Sequence, residues 1–333
     1  LVKTAGQLLE AGETAIRDTL AGMLQAEDLI LDKDAIYLPP FYHAECGTSR
    51  RLRDLAQSTG RSLFDGLFDP SSLTAETGIE YDEVQLAAIR QAVTSKVMVL
   101  TGGPGTGKTT TTQGIIAALK KAGLRVLLAA PTGRAAKRMS EATGMEAKTI
   151  HRLLEYNPQD GYKRNDENPL EGDALIVDEC SMIDILLMNN LLKAVPVGMR
   201  LVFVGDIDQL PSVGAGNVLR DVIDSQRIPV VRLVRIFRQA QKSRIVMNAH
   251  TINQGRFPDT SNGRDTDFFF MREDDPERAA ETIVRLVKER LPRAYRESPD
   301  RIQVLTPMQR GVVGAANLNL LLQQALNPSG PSL

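Results

Sequence analysis

Residues 97–110 read Val-Met-Val-Leu-Thr-Gly-Gly-Pro-Gly-Thr-Gly-Lys-Thr-Thr, an apolar run that leads into a glycine-rich loop and then into a helix-like segment. Glycines let backbone N–H groups turn toward phosphate oxygens, and the N-terminus of the following helix adds its positive dipole end. We expect Lys108 to reach the β- and γ-phosphates and the hydroxyl of Thr109 to bind Mg²⁺. A glycine-rich turn with a chance lysine is the less favoured alternative. The nucleotide-binding residues predicted here are Gly102, Gly103, Pro104, Gly105, Thr106, Gly107, Lys108, Thr109 and Thr110.

Two acidic residues follow a second apolar run, which spans residues 174–177. Buried parallel strands read as continuous apolar runs, and ligands bind at their carboxyl ends. We therefore expect Asp178 to hold the Mg²⁺ ion and Glu179 to orient or deprotonate an attacking water. Taken alone, the pair fits an ordinary solvated strand end better, but the glycine-rich loop reverses that preference.

A third predicted strand, residues 200–205, leads into a polar segment that contains Gln209. The side-chain amide of Gln209 can donate to a γ-phosphate and accept from water, which suits a sensor of the γ-phosphate. An isolated glutamine in a loop is more often a solvent-exposed residue. Here, however, three strand ends bring polar groups to one edge of one predicted sheet, which favours the sensor.

The composition is that of an ordinary globular chain: 333 residues, 42% hydrophobic and 24% charged, enough for about two to three domains. Since no apolar run is long enough to cross a bilayer and no signal-like start is present, we expect no membrane association. Cys46 and Cys180 are far apart, which fits reduced thiols in a cytoplasmic protein. The first residue is Leu, so we expect a fragment of a longer chain.

The net charge of −1 argues against a globally basic nucleic-acid binder, but it leaves room for a local basic track. Arg134, Lys137 and Arg138 follow the apolar run at residues 126–130. A predicted strand is therefore followed directly by the start of a helix that carries these three cations. This arrangement suits binding of nucleic-acid phosphates. A solvated helix face is an equally good interpretation of each cation taken singly.

Three domains are predicted. Residues 1–69 contain two short helices, two strands with a turn at 32–34, and a helix at 42–57, a winged-helix-like module. It could bind duplex nucleic acid, although a packing role is favoured. Residues 70–228 alternate helices and strands, as in a doubly wound parallel sheet, with a hairpin insertion at about 155–172. In this domain a helix begins after the cap Asp82, ahead of the phosphate-loop strand. Gln85, near its start, is placed to recognise adenine.

The third predicted domain, residues 229–333, is half of another parallel-sheet domain. Its strand candidates are residues 230–234, 268–271 and 301–305. Its helices are predicted at about 243–254, 276–291 and 312–326. The segment 235–239, Arg-Ile-Phe-Arg-Gln, lies near its start.

Taken together, these residues closely resemble the RecD-like branch of superfamily one DNA helicases. The resemblance lies in Gln85 and in ordered motifs at residues 101–110, 130–136, 149–152, 177–182, 204–211, 237–239 and 306–311. It implies ATP hydrolysis between two RecA-like α/β domains, one complete here and one partial. It also implies movement along single-stranded DNA in the 5′-to-3′ sense, with a pin at the hairpin insertion.

The resemblance assigns roles to individual residues. Gln85 becomes the adenine contact, Gln209 the γ-phosphate sensor, and Arg238 an arginine finger offered by the second motor domain. Lys108, Thr109, Asp178 and Glu179 keep the phosphate, metal and water roles given above. The positions that meet the DNA strand in relatives are Pro131, Thr132, Thr149, His151, Thr306 and Gln309. By itself, His151 would more often be a capped or core histidine.

The sequence departs from the family pattern in the second domain. The family's later motifs have no counterpart after residues 327–330, so we expect the parent chain to continue. The expected protein is an ATP- and Mg²⁺-dependent DNA helicase of repair or recombination, acting on single-stranded DNA and duplex junctions, with a monomer favoured. The enzyme alternatives are an RNA helicase or a translocase that does not separate strands. The non-motor alternative is a nucleotide-gated DNA-binding scaffold, or a helicase subunit of a repair nuclease.

Overall fold

The computed structural model describes residues 1–58, 73–74 and 77–327 of the 333-residue chain, without the side chains of Arg238 and Gln239. The chain divides into two compact units, Leu1–Pro258 and Asp259–Leu333. Among the described residues, no helix is both long enough and apolar enough to pass through a bilayer.

A parallel six-stranded sheet forms the centre of the first unit. Its strands are β3 (Val97–Gly102), β4 (Val126–Ala130), β5 (Ala147–Thr149), β8 (Ala174–Val177), β9 (Arg200–Gly205) and β10 (Val230–Leu233). Their order across the sheet is β10-β3-β9-β8-β4-β5, and every pairing is parallel. All residues of β8 and β9 are buried, as expected for strands covered on both faces. The predicted α/β sheet is therefore confirmed.

Helices pack on both faces of this sheet. They are α4 (Glu83–Thr94), α5 (Lys108–Lys121), α6 (Gly133–Thr143), α8 (Ile185–Ala194) and α9 (Val218–Asp224). Alternate residues of β3 enter two different apolar clusters: Val97 and Val99 join one, and Met98 and Leu100 join the other. Successive side chains of a strand point to opposite faces, so the two clusters are the two cores of a three-layered α/β domain.

The N-terminal segment contains α1 (Val2–Leu9), α2 (Glu13–Gln25), the antiparallel strands β1 (Ile30–Asp32) and β2 (Ala35–Tyr37), and α3 (Pro39–Gln57). The order of these helices and strands is the predicted one, and Lys33 has the left-handed φ of 54° in the turn. The winged-helix-like assignment stays a prediction. Leu52 and Leu55 of α3 are buried in the same apolar cluster as α8 and β9. Helix α3 thus helps to cover one face of the central sheet. Residues 59–69 of the predicted module lie outside the described residues.

Residues 155–172 form an excursion between the short helix α7 (Ile150–Leu153) and β8. Within it, β6 (Tyr156–Asn157) and β7 (Gly161–Tyr162) pair antiparallel, with Tyr156 opposite Tyr162. The rings of these tyrosines lie 4.7 Å apart, and the His151 ring lies 5.5 Å from Tyr156 and 5.9 Å from Tyr162. His151 is therefore an exposed member of an aromatic group at the base of a small hairpin.

Strand β10 differs from its sequence-based assignment. It was predicted to open the second domain, but it pairs with β3 and forms an edge of the first sheet. The chain then continues through α10 (Arg238–Gln241) and α11 (Arg244–Asn253), still within the first unit. Burial explains this placement, because Leu233 is 3% exposed and belongs to one of the two cores of that sheet.

The second unit contains helices α12 (Pro276–Arg285), α13 (Leu291–Tyr295) and α14 (Ala315–Leu326), with a π-helical turn at Leu286–Arg290. The strands predicted at 268–271 and 301–305 are wrong, since no residue of 259–327 is in a strand. At 270 the physical reason is local. The side chain of Asn262 accepts from the N–H of Phe270 and donates to its carbonyl, which occupies the groups that strand pairing would use.

Candidate active site

Residues 103–107 join β3 to α5 and, with Gly102, Lys108 and Thr109 at the two ends, form the phosphate loop of the predicted site. Gly105 and Gly107 have φ angles of 72° and 85°, a left-handed conformation that glycine adopts without steric cost. Residues 103–110 line a cavity of about 1100 Å³ at the carboxyl edge of the sheet. Helix α5 begins at Lys108, so its N-terminus faces this cavity. The backbone has the form that phosphate binding requires.

Lys108 extends along the loop rather than into solvent. Its Nζ donates to the carbonyl oxygens of Gly102, at 2.5 Å, and Gly103, at 3.1 Å. Thr106 donates to the same Gly103 carbonyl at 2.8 Å. The ammonium group is thus held beside the loop amides, where it can exchange carbonyl partners for phosphate oxygens.

Asp178 and Glu179 follow β8 and line the same cavity. Burial raises the pKa of Asp178. Two interactions partly oppose this rise: the N–H of Glu179 donates to Asp178 Oδ1 at 2.8 Å, and Lys108 contributes a nearby positive charge. Burial, and then the charge of Asp178, raises the pKa of Glu179. Glu179 has a left-handed φ of 52°, which is uncommon for a residue with a side chain and is frequent at functional sites.

Gln209 and Gln85 complete the polar lining that was predicted. Gln209 is exposed, and its Nε2 donates to Asp206 Oδ2 at 3.4 Å. Gln85 is 1% exposed and forms a capping box with Asp82 at the start of α4. Its Nε2 is buried and has no hydrogen-bond partner among the described residues. A buried donor without a partner is costly, so this amide is available to a ligand that enters the cavity.

The donor chemistry at the cavity fits Mg²⁺. The hydroxyl of Thr109 and the carboxylate of Asp178 both line it, and hard oxygen ligands of this kind are those that Mg²⁺ prefers. Mg²⁺ at nucleotide sites is usually held by one or two such groups together with substrate phosphates and water. The described part of the chain contains no group of three or more His, Cys, Asp or Glu side chains that could hold a metal ion.

Arg138 lies at a different place from the one predicted. It lines the cavity with Ala135, Met139 and Ala142 on one face of α6. Burial raises the pKa values of Asp178 and Glu179, and the positive charge of Arg138 partly opposes that rise. Lys137, predicted to belong to the same basic track, instead forms an ion pair with Glu141 at 3.9 Å on the exposed face of α6. Helical spacing contained the signal, because residues 135, 138, 139 and 142 share one face.

The predicted DNA-contacting residues fall in two places. Pro131 and Thr132 follow β4, Thr149 is the last residue of the neighbouring strand β5 and His151 comes just after it, so these four lie at adjacent strand ends. Thr132 and Thr149 each cap a helix by accepting an N–H bond, from Ala135 and Arg152 respectively. Thr306 and Gln309 belong to the second unit, where Thr306 donates to the carbonyl of Val313 at 2.7 Å.

Arg238 begins helix α10, but its side chain lies outside the described residues. Its neighbours Phe237 and Ala240 line the cavity, a contribution that the sequence analysis did not assign. The backbone of the motif at 237–239 therefore lies next to the phosphate loop in space. The role of the Arg238 guanidinium stays a prediction.

Comparisons with known proteins agree with this geometry. Residues 85–215 match the family described as AAA domain. The ATP-dependent RecD2 DNA helicase of Deinococcus radiodurans is 37% identical over 98% of this chain and 44% of its own length. The RecBCD enzyme subunit RecD of Mycolicibacterium smegmatis is 42% identical over 43% of this chain and 30% of its own length.

Among solved structures, Pif1 helicase from Candida albicans matches 54% of this chain and 46% of its own, with 26% identity and a TM-score of 0.43. The chain spans less than half the length of each of the two curated relatives. The match to the RecD2 helicase nevertheless runs through almost the whole of this chain and includes the phosphate loop and the acidic pair. Over almost its whole length, the chain is similar to the RecD-like superfamily one helicases.

Proposed function

We propose that the protein hydrolyses ATP to move along single-stranded DNA in the 5′-to-3′ sense and to separate duplex DNA at junctions, in repair or recombination in the cytoplasm. The observation that supports this proposal most directly is the convergence of Lys108, Asp178, Glu179 and Gln209 on one cavity. These side chains follow three different strands, β3, β8 and β9, whose carboxyl ends meet at one edge. A cavity of this composition suits phosphoryl transfer to water.

Each residue has a defined role in the proposed reaction. The loop amides and Lys108 bind the β- and γ-phosphates, and the free amide of Gln85 binds the adenine edge. Glu179 orients the attacking water and accepts its proton, which its raised pKa favours over a fully solvated carboxylate. Mg²⁺, held by Thr109 and Asp178, would neutralise charge on the phosphates. Gln209 contacts the γ-phosphate, and Arg238 stabilises the charge that develops during transfer.

We assign the DNA path to the adjacent ends of β4 and β5, at Pro131, Thr132, Thr149 and His151, and to Thr306 and Gln309 in the second unit. The hairpin of β6 and β7 serves as a pin that separates strands. In this proposal residues 1–69 form a winged-helix-like module, 70–228 the first RecA-like domain and 229–333 part of the second. Strand β10 then belongs structurally to the first sheet, although it follows that boundary. The protein acts as a monomer.

Lys108→Ala tests the ATPase assignment. In the full-length protein we expect loss of hydrolysis and unwinding with the fold retained, because the loop keeps its shape without the ammonium group. Lys120→Ala, an exposed lysine near the end of the same helix, is the matched control and should behave as wild type. Normal turnover by Lys108→Ala would refute the assignment.

Duplexes with a 5′ or a 3′ single-stranded tail test the direction of movement. We expect unwinding only with the 5′ tail, and unwinding from the 3′ tail would overturn the polarity. Binding to single strands should weaken as salt rises and depend little on base sequence, since the proposed contacts are hydroxyls, amides and a few cations. Unwinding of an RNA duplex with the same tail distinguishes the two enzyme classes: a DNA helicase should unwind the DNA duplex, and an RNA helicase the RNA duplex.

A second candidate is a nucleotide-gated scaffold or a helicase subunit of a repair nuclease. The similarity to the RecBCD enzyme subunit RecD of Mycolicibacterium smegmatis favours it. In that case ATP would switch DNA binding or support a partner. Slow hydrolysis that DNA does not stimulate would favour the scaffold, whereas DNA-stimulated hydrolysis with strand separation favours the helicase.

A further inference from the structure

Two carbonyl groups of the phosphate loop are bound from outside the loop. His250 Nε2, on α11, lies 3.0 Å from the carbonyl oxygen of Pro104. The backbone N–H of Phe237 donates to the carbonyl oxygen of Gly105 at 3.1 Å. Since a carbonyl oxygen can only accept, the His250 ring donates through an Nε2–H. Residues 236–250, called the clasp here, thus hold the loop by hydrogen bonds at two successive residues.

The clasp also packs closely against the loop glycines. A β-carbon added at Gly103, Gly105 or Gly107 would lie 2.7 Å from His250 Cε1, 2.5 Å from Ala240 Cβ or 2.8 Å from Phe237 Cε2, respectively. Real β-carbons essentially never approach so closely. The glycines are therefore needed for more than backbone conformation, because their hydrogen side chains let the clasp contact the loop directly.

These two hydrogen bonds fix the direction of the loop amides. Across a planar trans peptide bond, the carbonyl of one residue and the N–H of the next point in opposite directions. Because Pro104 and Gly105 direct their carbonyls to the clasp, the N–H groups of Gly105 and Thr106 point away from it. Both residues line the cavity. The clasp thereby orients donors for the anionic ligand of the loop.

We propose that His250 is a positioning residue for nucleotide binding, which acts by holding the Pro104 carbonyl away from the phosphates. The inference rests on the proposed binding of ATP at this loop and adds a residue outside the loop that controls it. The clasp also contains α10, whose first residue is Arg238. The segment that contacts the phosphate loop is therefore also the one that carries the proposed arginine finger.

The test compares His250→Ala with His250→Gln in the full-length protein. One neutral hydrogen bond contributes about 1 kcal/mol, so His250→Ala should weaken the affinities for Mg·ATP and Mg·ADP about three- to tenfold. Turnover at saturating ATP should stay within about twofold, since the lost interaction acts equally on ground and transition states. The Nε2 of Gln reaches about as far as that of His, so His250→Gln should recover most of the affinity.

His43→Ala is the matched control, because His43 is an exposed histidine on α3 and does not line the cavity. It should bind nucleotide as wild type does. Unchanged affinities in His250→Ala, alongside weakened binding by Lys108→Ala, would overturn the inference and leave the proposed function intact. A Gln variant as weak as the Ala variant would overturn the hydrogen bond as the cause. Absence of nucleotide binding by the wild type would overturn both.

Discussion

Arg51 and Asp166 form an ion pair across 115 residues of sequence, with Arg51 Nη2 lying 2.5 Å from Asp166 Oδ2. Arg51 belongs to α3, and Asp166 to the excursion that contains the β6–β7 hairpin. Arg164 supports the same excursion through pairs with Glu155, at 2.8 Å, and Glu171, at 3.4 Å. The N-terminal segment therefore fixes the outer part of the excursion, while Arg164 fixes its base.

Arg51→Ala should loosen the excursion without unfolding the protein. Because Asp166 is 60% exposed, the pair should contribute at most about 1 kcal/mol, so we expect little change in Tm. Cleavage after the exposed Lys163 by a lysine-specific protease, which does not cut after arginine, should become faster. The exchanged pair, Arg51→Asp with Asp166→Arg, should restore slow cleavage. Equal cleavage rates in wild type and Arg51→Ala would show that the ion pair does not restrain this segment.

Glu179→Gln should trap bound ATP. Asp178 and the loop remain, so affinity is kept, whereas the amide cannot accept a proton from the attacking water. General-base catalysis contributes about 10²- to 10⁴-fold, and single-turnover hydrolysis should slow accordingly. Glu146→Gln, an exposed acid outside the cavity, serves as the control. Rapid single-turnover hydrolysis by Glu179→Gln would refute the role of this carboxylate.

Asp178→Asn should raise the Tm of the nucleotide-free protein near neutral pH. Burial raises the pKa of Asp178 above its ordinary value of 3.8, so the folded state binds its proton more tightly than the unfolded state. Ionisation of Asp178 therefore destabilises the fold, a cost that is absent below 3.8 and develops as pH rises through the folded-state pKa. The Asn variant lacks this cost but retains an oxygen acceptor for the N–H of Glu179.

Thermal unfolding of both proteins across the acidic to neutral range checks this prediction. The difference in Tm should be largest at neutral pH and should disappear at the acidic end. Glu179→Gln should show the same trend, since burial and the neighbouring charge raise its pKa too. An Asn variant that is less stable than wild type at neutral pH would contradict the prediction.

Shortening the β6–β7 hairpin should uncouple ATP hydrolysis from strand separation. Replacing residues 157–161 with two glycines removes the tip but leaves Tyr156, Tyr162 and the excursion base. We expect DNA-stimulated hydrolysis to persist and unwinding of a tailed duplex to fail. Gln159→Ala changes an exposed tip side chain at constant length and should unwind normally. Preserved unwinding by the shortened protein would remove the pin role.

Arg238→Ala should bind ATP nearly as wild type but lose DNA-stimulated turnover. The phosphate loop holds the nucleotide, whereas a guanidinium finger stabilises the transferring phosphoryl group and contributes about 10³- to 10⁵-fold. Arg227→Ala, an exposed arginine before β10, is the control. Collapsed affinity with unchanged turnover per bound ATP would make Arg238 a binding residue. No change in either would place it outside the site.

The sequence was sufficient for the parts of this site that follow strand ends. Residues 97–100, 174–177 and 201–204 are continuous apolar runs, and parallel strands of this kind direct their following residues to one edge. In the structure these strands pair in one sheet, and Lys108, Asp178 and Gln209 line one cavity at its edge. Local periodicity and turn chemistry carry this information, so no knowledge of distant packing was needed.

Other parts depended on individual side-chain contacts, some of them local and some between residues far apart in sequence. The apolar residues at 268–271 fit a strand, but Asn262 supplies hydrogen bonds to Phe270 that no periodicity indicates. Arg138 could be placed on a helix face, but which face meets the cavity depends on how α6 packs against the sheet. The contact between His250 and Pro104 joins residues 146 positions apart, and only tertiary structure brings them together.

The position of β10 at the sheet edge affects how this protein folds while it is being synthesised. β3 lies between β10 and β9, so its backbone is paired on both sides only after residues 230–233 have left the exit tunnel. Until then Val99 and Leu100 belong to an open strand edge, which can pair with other nascent chains. A truncated protein that stops at 228 should therefore aggregate, and expression of the first unit alone should extend to Pro258.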